Sequence, residues 1–118
     1  MLRPIRAALV AALVLSAAAC AELLTGGELI RPGEPTGTIV VANGSSRTVV
    51  VAVLISNCNA STYGLNRLPS GVNLPPGRSY SFTVSAGCWD VDAGSMGAEA
   101  RQRMQVRPGG GVRYTVTD

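Results

Sequence analysis

Histidine and lysine are both missing from this chain of 118 residues, and each absence removes a class of chemistry. Without histidine there is no Ser-His or Cys-His nucleophile and no usual general base near neutral pH. The commonest zinc ligand is gone as well. Without lysine, amine-based chemistry goes too. From Thr38 onward the carboxylates are only Asp90, Asp92, Glu99 and Asp118. Aromatic residues make up 4% of the chain, and no basic patch is interleaved with them, so nucleic-acid binding has no support. A cofactor site is not expected, nor is an enzyme.

What is present begins with a leader. Arg3 and Arg6 form a positive n-region, Ala7 to Leu15 an apolar core, and Ser16-Ala17-Ala18-Ala19 a small-residue cleavage zone. The apolar stretch is shorter than the roughly 20 residues a spanning helix needs. Residues 1–19 therefore read as an export signal. Two cleavages fit: Ala17-Ala18-Ala19-Cys20 resembles a lipobox, whose cysteine takes a diacylglyceryl group, and Ala17-x-Ala19 also suits ordinary signal peptidase. Cysteine parity favours the first. Three cysteines leave one over if the other two pair, and lipidation of Cys20 accounts for the odd one. The expected partner is then a membrane, held through that anchor. By resemblance to sorted lipoproteins, Ala21 and Glu22 after the cysteine point to the outer membrane, facing the periplasm. The soluble alternative is a periplasmic protein.

With the leader gone, Arg3 and Arg6 leave with it. Eight arginines then face seven acids, a net charge near +1 (8 − 7). Residues 20–37 carry Gly26-Gly27, Pro32-Gly33 and Pro35 and read as the lipidated N-terminus and a linker. Leu23, Leu24, Leu29 and Ile30 offer local docking as the alternative.

Residues 38–118 read as one all-β domain, a small immunoglobulin-like antiparallel sandwich of about six strands, because β-branched residues and turn signals recur at short intervals. Thr38–Ala42 and Thr48–Ser56 are expected to form a hairpin through a five-residue loop, with Val41 opposite Val49 and Ile39 opposite Val51. Val49 to Ile55 is apolar on both faces, which suits a central strand. Ser79–Val84 alternates with Tyr80, Phe82 and Val84 inward, and Cys88–Gly94 with Trp89, Val91 and Ala93 inward. Glu99–Val106 and Gly111–Thr117 complete the set. A four-residue loop at Ser95–Ala98 sets Asp92 opposite Arg101 and Asp90 opposite Arg103 on the solvent face, and Trp89 opposite Met104 on the core face. Both carboxylates thus read as register-setting surface charges rather than an acid/base pair. Copper binding through Met96 and Met104 is weak, since Met104 is expected in the core.

Cys58 and Cys88 are expected to form a disulfide in an oxidising compartment, clamping the loop after Cys58 to the sandwich rim. Closing a loop of that length stabilises a fold by roughly 3–4 kcal/mol in the chain-entropy model. The 58–78 loop presents Tyr63, Asn66 and Arg67 and is the candidate partner-binding segment. The bland reading is that Tyr63 and Leu65 cap the open end of the sandwich while the polar residues satisfy loop backbone. Asn43-Gly44-Ser45 and Asn59-Ala60-Ser61 match glycosylation acceptors but read as turn chemistry. Pro75-Pro76-Gly77 and Pro108-Gly109-Gly110-Gly111 read as turns.

The run from Ile39-Val40-Val41-Ala42-Asn43, through Cys58 and Tyr63-Gly64-Leu65-Asn66-Arg67-Leu68, to Leu74-Pro75-Pro76-Gly77 and Gly87-Cys88-Trp89-Asp90-Val91 resembles a family of small bacterial exported β-sandwich proteins. Many of its members are lipoproteins of unassigned function. The resemblance covers about 38–118, implies the fold and carries over no catalytic residue. Tyr63 stands where such proteins are expected to have Trp. Two functions follow as expectations. The first is a non-catalytic envelope lipoprotein whose sandwich binds or braces an envelope protein partner. The second is a periplasmic hydrolase inhibitor acting through the 58–78 loop.

Overall fold

The computed structural model describes residues 27–60, 64–95 and 98–117. Cys20, the leader, Tyr63 and Met96 lie outside them. Six strands follow in order: β1 Thr36–Asn43, β2 Ala52–Asn57, β3 Ser79–Ser85, β4 Gly87–Ser95, β5 Ala98–Val106 and β6 Gly111–Val116. They make two three-stranded sheets, β3-β1-β6 and β2-β4-β5, packed as an all-β sandwich. Period-2 alternation builds the core, because successive side chains of a strand point to opposite faces. Ile39, Val41, Phe82, Val84 and Tyr114 come from the first sheet; Val53, Ile55, Trp89, Val91 and Val106 face them from the second.

The β4–β5 hairpin has the expected register, with Asp92 opposite Arg101, Asp90 opposite Arg103 and Trp89 opposite Met104. Its connection is tighter than expected, since Ser95 and Ala98 already pair. The two proline turns are also as read. Arg78 N donates to Pro75 O and Gly110 N to Arg107 O, with Gly77 (φ 84°) and Gly109 (φ 68°) at the positive-φ corner that each turn requires.

The first hairpin does not form. β1 pairs with β3, Ile39 opposite Phe82, and runs parallel to β6, Val41 opposite Tyr114, so the sandwich is not wholly antiparallel. β2 lies in the other sheet, against β4. The cause sits in the connection. Asn43 is buried, and its Nδ2 donates to Thr48 O (2.6 Å) and to Leu74 O (2.8 Å). Ser45 N and Ser45 Oγ donate to its Oδ1. This knot turns the chain across to the opposite sheet instead of back along β1. Val50 then bridges Leu74 before β2 begins. The both-faces-apolar run is accordingly no central strand: β2 is an edge, and Val49 and Val51 are exposed.

Strand directions define two ends. At one lie the start of β1, the β3–β4 junction at Ser85–Gly87, the end of β2 at Asn57 and the end of β5 at Val106. At the other lie Asn43–Ser46, Arg78 and the β4–β5 turn. Below they are the near end and the far end. Gly37 marks the tightest contact at the near end. A Cβ there would sit 2.4 Å from Val106 Cγ1 and 2.8 Å from the Arg107 and Gly110 carbonyl oxygens, so only glycine fits.

Candidate functional site: the near-end rim

Cys58 follows β2 directly, and Cys88 is the second residue of β4, the strand beside it. Their Cα atoms are 5.6 Å apart and the disulfide is formed. Trp89 points into the core, so Cys88 points outward, and the bridge ties an edge strand to its neighbour on the rim.

The stretch expected as a linker is, from Gly27 on, part of the domain. Ser85 N donates to Leu29 O (2.7 Å) and Ala86 N to Pro35 O (2.8 Å), which lays residues 27–35 as a strap across the β3–β4 junction. Leu29 packs on the core while Ile30 stays exposed, so docking takes one of that apolar pair and leaves the other in solvent. The physical reason is a set of backbone groups at the junction that no strand satisfies; buried amides and carbonyls must find partners. Arg31 fastens the strap further. Its backbone N–H donates to the buried Ser85 Oγ (2.7 Å), and its guanidinium lies 5.3 Å from the Trp89 ring centre and pairs with Glu34. The Trp89 ring is fully buried, and its Nε1 donates to Ser85 O (2.8 Å). Burying such a side chain stabilises a fold by about 1.5–3 kcal/mol, and the arginine over its face adds about 0.5–1 kcal/mol.

Asn66 and Arg67 turn toward the β2 edge. Asn66 Oδ1 accepts from Val53 N (2.9 Å) and Leu68 N (3.1 Å), and Arg67 N donates to Val53 O (2.7 Å). The Arg67 guanidinium donates to Ile55 O and, through Nη2, to Gly27 O (2.7 Å). Its burial lowers its pKa from the ordinary arginine value, since desolvation disfavours the charged form. These two side chains close the open edge of β2 and hold the strap's first residue. Among the described residues of this loop, Asn59, Asn66, Ser70 and Asn73 are also exposed, and Leu65, 62% exposed, is the large apolar side chain presented to solvent.

The carboxylates have arginine partners. Arg103 Nε donates to Asp90 Oδ1 (2.9 Å) and Arg101 Nε to Asp92 Oδ2 (3.2 Å). Asp92, expected on the solvent face, is buried at 3% exposure between its register neighbours Leu54 and Arg101. The outer face of this sheet is therefore partly covered. Asp92 acts across the sandwich as well: Tyr114 is pushed up to about 12, chiefly by burial and then by the Asp92 charge. Met104 is buried, as expected. Sequence reasoning offered the strap only as an alternative, local docking of apolar residues, and missed the Asn43 knot. The signal for the knot was the Asn-Gly-Ser run, which reads as an ordinary turn until its burial is known.

A scan against protein-family models found no match, and a search of curated proteins found none either.

Proposed function

We propose that this chain is a non-catalytic cell-envelope lipoprotein, anchored through Cys20 and facing the periplasm from the outer membrane, whose small sandwich binds or braces an envelope component. The observation that carries the reading is the Cys58–Cys88 disulfide. It consumes two of three cysteines and leaves Cys20, at the end of the leader, as the one without a thiol partner. Support for a non-catalytic role comes from Asp90 and Asp92, whose arginine partners leave neither poised as a free acid or base. Mass spectrometry of the mature N-terminus tests the anchor. A diacylglyceryl-modified Cys20 in the membrane fraction is expected. An unmodified Cys20, or cleavage elsewhere with the protein in the soluble periplasmic fraction, overturns it.

One observation favours the hydrolase-inhibitor reading as a second choice. The segment after Cys58 is pinned by the disulfide and again by Asn66 and Arg67, with Leu65 exposed just before the second pin. A loop held in this way loses little entropy on entering a cleft. Inhibition of a periplasmic protease or lysozyme by the folded protein, abolished by Leu65→Asp without loss of fold, is the expected result. No inhibition by the folded wild type removes the reading.

A further inference from the structure

The strap decides which end of the sandwich faces the membrane. We infer that the near-end rim is a lipid-facing surface, apposed to the bilayer that carries the protein's own anchor, with Ile30 as its apolar contact. The inference rests on the lipidation of Cys20 proposed above.

Gly27, the first described residue, is already docked. Its carbonyl accepts from Arg67 Nη2, and a Cβ on it would lie 3.8 Å from Asn57 Cβ, which places it on the rim at the end of β2. From Cys20 to Gly27 the chain spans at most about 25 Å, whatever its conformation, because a residue adds no more than about 3.6 Å. Had the strap been free to Thr36, the same rule would allow more than about 55 Å. Docking therefore roughly halves the reach. The strands extend away from this rim, and a nine-residue strand such as β4 is about 30 Å long. The tether is thus shorter than the domain it holds.

On the side so confined, the strap exposes Ile30 at 52% beside Arg31. Arg31 is engaged by Glu34 and the Trp89 face, so the lipid contact is the apolar one: an exposed isoleucine suits the headgroup–acyl boundary, where its burial is favourable. The far end, with Ser46 and Arg47 exposed, is presented to the aqueous compartment.

The test supplies the anchor chemically, so its outcome is separate from whether cells lipidate the protein. The mature chain starting at Cys20 is coupled at that thiol to a maleimide phospholipid, the other two cysteines being bridged. It is then placed in vesicles of phosphatidylglycerol and brominated phosphatidylcholine. Tryptophan reporters stand at I30W on the near end and S46W on the far end, each over the common Trp89 background. Bromolipid quenching of I30W by about twofold, with S46W unaffected, is expected for a side chain at the acyl boundary. Equal quenching at both positions, stronger quenching at S46W, or none at either overturns the inference. A Gly-Ser insertion of about ten residues after Glu22 should weaken the quenching of I30W by extending the reach; quenching that persists supports the rim as lipid-facing and assigns its apposition to the Ile30 contact rather than to the short tether. Native Cys20 found unmodified, with I30W quenched on the synthetic anchor, would remove the lipoprotein reading and with it the apposition in the native protein, while upholding the rim as the lipid-facing end of an anchored chain.

Discussion

The two ends of the sandwich are held by different kinds of contact. At the far end, the Asn43 side chain works mostly with neighbours in sequence, Ser45 two residues on and Thr48 five residues on, with Leu74 farther off, while its backbone pairs with Gly77 and Arg78. At the near end the fastenings that join the strap, the loop after Cys58 and the strands to one another are long-range. The disulfide joins residues 30 apart, Arg67 reaches Gly27 across 40, and Arg31 reaches Ser85 across 54. A locally tied end can organise as soon as its turn is made. A distantly tied one is ordered only when the strap, the loop after Cys58 and the β3–β4 junction are all in place. Small domains have little core to spare, and here the extra stabilisation is concentrated at one end.

Substitutions that hit one end and spare the other should separate the two. The largest effect is expected at the near end. Replacing Cys58 and Cys88 together by alanine should lower stability by about 3–4 kcal/mol, read from the urea midpoint. Amide exchange at Ser85, which donates to Leu29 O, should rise more than at Gly44, which donates to Val116 O at the far end. Equal acceleration at both would mean the ends are not separable. Asn43→Ala comes next, at about 2–3 kcal/mol, because it leaves the buried Ser45 N–H without its acceptor and removes the donor that ties Thr48 O to Leu74 O. Its exchange pattern should be the reverse. Gly37→Ala follows at about 1–3 kcal/mol, since its methyl meets backbone oxygens that cannot retreat.

A pH measurement probes the link between the sheets. The Tyr114 hydroxyl is pushed from 10.0 up to about 12, so the folded state holds this proton more tightly than the unfolded chain. Its contribution is complete below pH 10 and is lost as pH rises through about 12. Alkaline absorbance titration should show one late tyrosine step that disappears in Tyr114→Phe. Smallest of all is Arg103→Ala, where an exposed ion pair with Asp90 contributes about 0–1 kcal/mol. A loss well above that would mean the β4–β5 charges hold the fold rather than only its register.

Where the sequence was legible, neighbours in the chain decided the structure. The β4–β5 register follows from alternating Asp and Arg about a short turn, and the structure has it residue for residue. The disulfide follows from the cysteine count, read with the oxidising compartment that the leader leads one to expect. The β1–β2 pairing was illegible because a short polar connection normally returns a strand beside itself, whereas this one buries Asn43 and crosses to the other sheet. The strap was hidden for a similar reason. Pro32, Gly33 and Pro35 give it a linker's composition, and its hydrogen bonds go to backbone groups more than fifty residues away. In the candidate loop, the residue types of Asn66 and Arg67 fit partner contacts and edge closure equally well; only their hydrogen-bond partners tell the two apart.

The parallel pairing of β1 with β6 bears on when the molecule can fold at all. Thr38 lies against Gly111 and Val41 against Tyr114, so the central strand of one sheet lacks one neighbour until the final strand arrives. Contacts between such distant segments slow folding, because the loop between them must close before any contact rewards it. A partly emerged chain therefore has no finished first sheet to collapse onto. For a chain exported in extended form, as proposed above, that delay is useful: the order of its strands keeps it pliable until almost all of it has crossed.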